Sequence, residues 1–137
     1  MLQTHLHVLV RKIAASLFTI FAICSFNLLF TWSALADNPD DVNRLVSTNS
    51  CYKCDLTDIT LTKREFSDSY LVESNLSGII LSESSLKSAN LSKANLQNAK
   101  LLQANLSGAN LTETNLSSAN LTVANLKNAN LMSTNIE

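Results

Sequence analysis

Residues 89–111 read Ala89-Asn90-Leu91-Ser92-Lys93, Ala94-Asn95-Leu96-Gln97-Asn98, Ala99-Lys100-Leu101-Leu102-Gln103, Ala104-Asn105-Leu106-Ser107-Gly108, Ala109-Asn110-Leu111. Extended both ways, a large apolar residue returns every fifth position seventeen times, from Leu56 to Ile136. Fifteen of these are Leu; the others are Phe66 and Ile136. The position two before is usually small, and the position one before is Asn in ten of the seventeen. An α-helix advances about 100° per residue, so a step of five turns by about 140° and scatters the leucines round the axis. A flat strand sends successive leucines to opposite faces. Neither element buries the pattern on one side. A closed coil does. Four five-residue sides make a square of twenty residues, with each Leu and the small residue two places earlier inside and the Asn between them outside. Stacked coils pair through their backbones about 4.8 Å apart. Alternating large and small side chains fills so narrow an interior, where eight large ones would overpack it.

These residues resemble the pentapeptide-repeat family. The resemblance covers residues 51–137, strongest over 75–136 and looser over 51–74. It implies an all-β solenoid, a right-handed quadrilateral β-helix, here of about four coils and roughly 20 Å long at the rise of stacked strands. The expected core columns are Leu56, Leu76, Leu96, Leu116 and Ile136; Leu61, Leu81, Leu101 and Leu121; Phe66, Leu86, Leu106 and Leu126; and Leu71, Leu91, Leu111 and Leu131. Arg64 falls in a small inward slot and is the main misfit, since a buried unpaired guanidinium is costly. It implies either a distorted first coil or a head group that escapes to Glu65 or Glu83. Gly78 and Gly108 both occupy the second outward slot after Leu, a corner position.

The front of the chain differs. Arg11 and Lys12 precede an apolar run from Ile13 to Trp32, followed by Ala34-Leu35-Ala36 and a polar stretch. That is the three-part pattern of a secretory signal peptide, cleaved between Ala36 and Asp37. An uncleaved membrane anchor is the rival, because a run of about twenty apolar residues spans a bilayer. Residues 37–137 carry eight Lys or Arg and eleven Asp or Glu, so their net charge is 8 − 11 = −3, with no His and no Trp. This describes one small, mildly acidic domain for which no nucleic-acid partner is expected. Residues 37–50 read as a short capping helix. Asn38 suits the N-cap, Pro39 the first turn, and Asp40 and Asp41 the positive end of the helix dipole. Val42, Leu45 and Val46 form its expected apolar face, laid across the open first coil.

Cys51 takes a Leu slot and Cys54 a small slot, so both should face inward. In an exported protein two such cysteines pair, and a Cys51–Cys54 disulfide is expected. Thioredoxin-like redox chemistry needs a helix N-terminus in a βαβ setting, which the repeats do not offer. A structural zinc site usually needs four ligands, and the sequence provides neither a second cysteine pair nor a His beyond residue 36. Without a His base, the abundant Ser and Thr do not form the usual nucleophilic triad. Ser92 and Lys93, a conceivable Ser-Lys pair, are both in outward slots. No catalytic residue, cofactor or metal is expected. The Asn-Leu-Ser and Asn-Leu-Thr triplets match glycosylation acceptors but arise from the repeat itself, and the Asn column reads as structural.

The leading functional reading is a non-enzymatic protein-interaction or structural module outside the cytoplasm, with an unidentified protein partner. The resemblance implies a periplasmic or thylakoid-lumen setting of the cyanobacterial type. An uncleaved N-terminus would instead tether the repeats to a membrane. The alternatives are a DNA mimic that binds DNA gyrase, disfavoured by the modest charge, and a C-x-x-C thiol redox protein. The last coil should leave Leu131 and Ile136 exposed beside open strand edges, which invites end-to-end pairing of two chains through residues 117–137.

Overall fold

The computed structural model describes residues 39–137. The expected cleavage site at Ala36 and Asp37 and the N-cap Asn38 lie outside these residues. Helix α1 runs from Pro39 to Thr48, with Asp40 and Asp41 in its first turn. Asn49 ends it in the left-handed conformation (φ 55°), its N–H donating to the Leu45 carbonyl at 2.9 Å. Asn is one of the few residues that tolerates this position.

From there the chain winds in coils of twenty residues. Parallel bridges link positions twenty apart, from Ser50 with Tyr70 to Asn115 with Asn135, and they fall in four columns. The expected straight sides are shorter than strands. Each side contributes a single isolated bridge. The corner accounts for this: the N–H of the small residue turns back to the Leu carbonyl three places earlier, as from Ala94 to Leu91 at 3.0 Å. That turn uses four of the five residues. The remaining one carries the bridge. Asn95 N–H donates to the Ser74 carbonyl at 2.9 Å, and the Asn95 carbonyl accepts from Leu76 N–H at 2.7 Å.

Every corner from Lys53 to Ser133 places its second turn residue in the left-handed region, with φ between 54° and 70°. Only Gly78 and Gly108 are glycines there. Asp58, Asp68, Asn98 and Asn128 are of the types that tolerate it, and the other eleven bear a strain of roughly 1–2 kcal/mol each. From Lys53 to Ser118 these residues gain a bond along the solenoid axis: Asp58 N–H donates to the Ser77 carbonyl at 2.9 Å, and Asn98 N–H to Ser117 at 3.0 Å. At Gly78 a Cβ would collide with the Asp58 carboxylate of the preceding coil.

The inward leucines are buried from Leu56 to Leu116. Leu121 and Leu126 are half-buried, while Leu131 and Ile136 are 43% and 70% exposed, so these two are not core residues here. Large and small slots are not strictly kept. Ile59 and Ile79 are both buried in small slots. Arg64 does not distort its coil. Its N–H donates to Ser84 Oγ at 3.1 Å, its carbonyl accepts from Ser85 N–H at 2.8 Å, and Glu65 keeps its bridge to Ser85.

The Asn columns serve structure in two ways. Asn Oδ1 accepts the backbone N–H two residues on, as from Gln97 to Asn95 at 3.2 Å. The amide Nδ2 donates to the Asn of the preceding coil: Asn95 to Asn75 at 3.3 Å, Asn115 to Asn95 at 3.1 Å, Asn110 to Asn90 at 3.2 Å. One corner column alternates in sign, Lys53, Glu73, Lys93, Glu113, with ion pairs of 3.3 Å between the first two and 3.9 Å between the last two. These pairs are exposed and each contributes little on its own.

Candidate functional site

The top of the solenoid gathers the chemistry-bearing side chains. Cys51 and Cys54 are joined in a disulfide, Cα–Cα 5.4 Å, and both are buried. They span one corner of the first coil, with Lys53 as its left-handed residue. Ser74, one coil down, holds that corner: its Oγ donates to the Cys51 carbonyl and accepts from Cys54 N–H at 3.2 Å. A four-residue loop gives the crosslink an entropic worth of about 2 kcal/mol on the loop-closure relation.

Helix α1 differs from its expected face. Leu45 is buried and Val42 packs partly against the core, but Val46 is 51% exposed. Asp41, four residues before Leu45, is buried instead. In later coils the bridge residue donates its N–H to the coil above, as Asn75 does to the Cys54 carbonyl at 2.8 Å. For Asp55 the Asp41 carboxylate takes that place, accepting its N–H at 2.9 Å. Arg44, on the next turn of α1, pairs with the other carboxylate oxygen. Asp41 therefore stands in for a missing coil.

The same column logic explains an unsatisfied hydroxyl. Buried Ser or Thr in small slots donate to the Leu-slot carbonyl of the coil above: Ser84 to Leu61 at 2.8 Å, Thr114 to Leu91 at 2.7 Å. Ser69 has α1 rather than a coil at that place, and its buried Oγ has no hydrogen-bond partner among the described residues. Ser69→Ala should therefore raise stability by about 1 kcal/mol, by removing an uncompensated buried hydroxyl. A urea midpoint below that of the native chain would contradict this.

The outer surface near the top carries a second departure from the ladder. Tyr52 and Tyr70 are both exposed, with ring centroids 6.3 Å apart, and the Lys53 ammonium lies 5.2 Å from the Tyr52 ring centre. Hydrogen bonding to Tyr52 and to Glu73 pushes the Lys53 pKa up. Glu65 heads another column in place of Asn. Hydrogen bonds from the Ser67 hydroxyl and N–H hold its carboxyl below the ordinary value. The tyrosine pair was available from the sequence by column arithmetic, since Tyr52 lies two positions past Ser50, which bridges Tyr70. Asp41 carried no such signal; its ordinary reading is helix-dipole complementarity.

At the bottom, Leu131, Met132 and Ile136 are exposed beside the half-buried Leu121 and Leu126. No helix among the described residues is long and apolar enough to cross a membrane.

A family model described as pentapeptide repeats (8 copies) matches residues 65–103 and 99–137, together more than half of the chain. The chain belongs to the pentapeptide-repeat family. Its coil is accordingly a right-handed β-helix. Two similar solved structures are pentapeptide repeat proteins. One, from the Arabidopsis thaliana thylakoid lumen, is 34% identical with a TM-score of 0.57, over 58% of this chain and 55% of that one. The other, from Nostoc Pcc 7120, is 31% identical with a TM-score of 0.56, over 61% of this chain and 69% of that one. The match thus spans just over half the length of the plant protein. Among curated proteins no match is found. Pentapeptide repeat proteins are generally structural or interaction modules.

Proposed function

We propose that this pentapeptide-repeat protein is a non-enzymatic protein-interaction or structural module exported from the cytoplasm. Residues 1–36 direct export, residues 37–50 close the top, and residues 51–137 make slightly more than four quadrilateral coils. The surface is the observation that carries this reading. Its outward residues are tied into ladders that repeat with each coil, giving rigid polar faces. Recognition falls to the places where the ladder breaks, the Tyr52–Tyr70–Lys53 corner and the apolar lower end. Export to a periplasm or thylakoid lumen is supported by the signal pattern, by the buried disulfide, and by the lumenal source of the plant relative. The test is fractionation followed by a pull-down from the compartment where residues 37–137 reside. Recovery of the repeats in the cytoplasm, with Met1 to Ala36 still attached, would refute export.

A gyrase-directed DNA mimic needs a continuous acidic stripe. The alternating Lys53, Glu73, Lys93, Glu113 column works against it. The lower end carries the second part of the proposal. Two chains pair end to end through residues 117–137, covering Leu131 and Ile136. Light scattering at micromolar concentration should give the mass of two chains, and Leu131→Asp with Ile136→Asp should halve it. A monomeric mass for the native chain would end this idea.

A further inference from the structure

The cap holds a set of donors that the ladders lack. Cys51 Sγ, Cys54 Sγ and a carboxylate oxygen of Asp41 lie within 4.8 Å of one another, and all three residues are buried. The sequence lacks a second cysteine pair, and residues 37–137 contain no His. Folding supplies the third ligand from α1 instead. We propose that the reduced cap is a binding site for a soft divalent cation such as Zn2+, ligated by the Cys51 and Cys54 thiolates and the Asp41 carboxylate. Formation of the disulfide closes it.

A dithiol reductant gives two electrons and two protons to the S–S bond, yielding two thiols and leaving as a disulfide. Cation binding then releases the two thiol protons to solvent. Zinc takes sulfur at about 2.3 Å and carboxylate oxygen at about 2.0–2.2 Å. Ligand atoms round such an ion are therefore on the order of 3.5–4 Å apart, close to the spacing of up to 4.8 Å in the present cluster. The Asp41 backbone carbonyl, 3.3 Å from Cys51 Sγ, is at hand as a fourth donor.

Charge is the stronger argument. Two thiolates and a carboxylate carry −3, and a divalent cation reduces this to −1. Arg44, already paired with Asp41, supplies the remaining +1. The group is then neutral overall, with the Arg44 side chain itself about half exposed (52%), which lowers the cost of burying the three ligands. The carboxylate is also oriented in advance, by Asp55 N–H on one oxygen and Arg44 on the other. Accepting the Asp55 N–H alone requires only a neutral oxygen. A carboxylate with its own arginine is more than that role needs.

The full-length chain, carrying Cys24→Ser to remove the third thiol, is held in mild detergent, reduced with a phosphine and titrated anaerobically with Co2+. One equivalent should bind, with the visible bands of tetrahedral Co2+ and thiolate charge transfer, and Zn2+ should displace it. The oxidised protein should show neither signal. Asp41→Asn retains an oxygen for Asp55 N–H and should weaken Co2+ by roughly tenfold or more; Cys51→Ser or Cys54→Ser should abolish the charge-transfer band. Circular dichroism on the same samples follows the coil stack. The proposal is overturned by a reduced protein that gives no charge-transfer band at one equivalent, whether the stack survives or is lost. Asp41→Asn binding as tightly as the native chain would overturn it equally.

Discussion

Leu91→Ala is expected to lower the unfolding free energy by about 3–5 kcal/mol, the upper part of the range for buried leucines. Leu91 is fully buried midway along its column, between Leu71 and Leu111. The cost depends on whether the site can collapse. Here the backbone is pinned on both sides: Leu71 N–H donates to the Asn90 carbonyl and Leu91 N–H to the Asn110 carbonyl, each at 2.8 Å. The coil cannot close over the void without breaking these bonds. Leu131, in the same column but 43% exposed, should cost less than about 1 kcal/mol when truncated, in line with its partial burial. Urea unfolding of Leu91→Ala, Leu111→Ala and Leu131→Ala should show the fall along the column. Equal losses at all three would contradict this account.

Asp41→Ala should cost roughly 2–3 kcal/mol, the next largest effect. It leaves the Asp55 N–H without its acceptor, deprives Arg44 of its carboxylate and vacates a buried position beside the disulfide. In a solenoid each coil touches only its neighbours, so the loss should be local. Hydrogen exchange should quicken for Asp55 and for α1, while amides such as Asn95 and Leu101 stay protected. Asp41→Asn should retain most of the native stability. If Asp41→Ala exchanged like the native chain at Asp55, the carboxylate would not be the coil's substitute.

The repeat was legible because a period of five fits neither a helix nor a strand, and because adding twenty to any residue gives its neighbour. The period alone points Leu56 through Leu116, and Cys51 with Cys54, to the inside of the coil. Two things were not legible. Eleven of the seventeen left-handed corner residues, Val123 among them, have no preference for that conformation; only Gly78, Gly108, Asp58, Asp68, Asn98 and Asn128 mark it, and from Lys53 to Ser118 a bond to the next coil stabilises it. Ile136 keeps the period but is exposed with Leu131, as expected of the last coil. In α1, the rule that apolar residues face the core chose Val46, whereas an unfilled backbone N–H on Asp55 drew in Asp41. That demand arises only after the coil has closed. Part of the cap site was therefore readable, the cysteine pair, and part was not, its acidic partner.

The alternating column of Lys53, Glu73, Lys93 and Glu113 bears on how such a chain avoids misfolding. Its repeats are near copies, so a coil could be looped out and its neighbours joined with almost no change in their leucine contacts. Such a skip would set Lys53 against Lys93 or Glu73 against Glu113, and like charges directly opposite are destabilising. Pairs that add little to the finished solenoid thus act as a proofreading mark, telling each coil which of several look-alikes is its true neighbour.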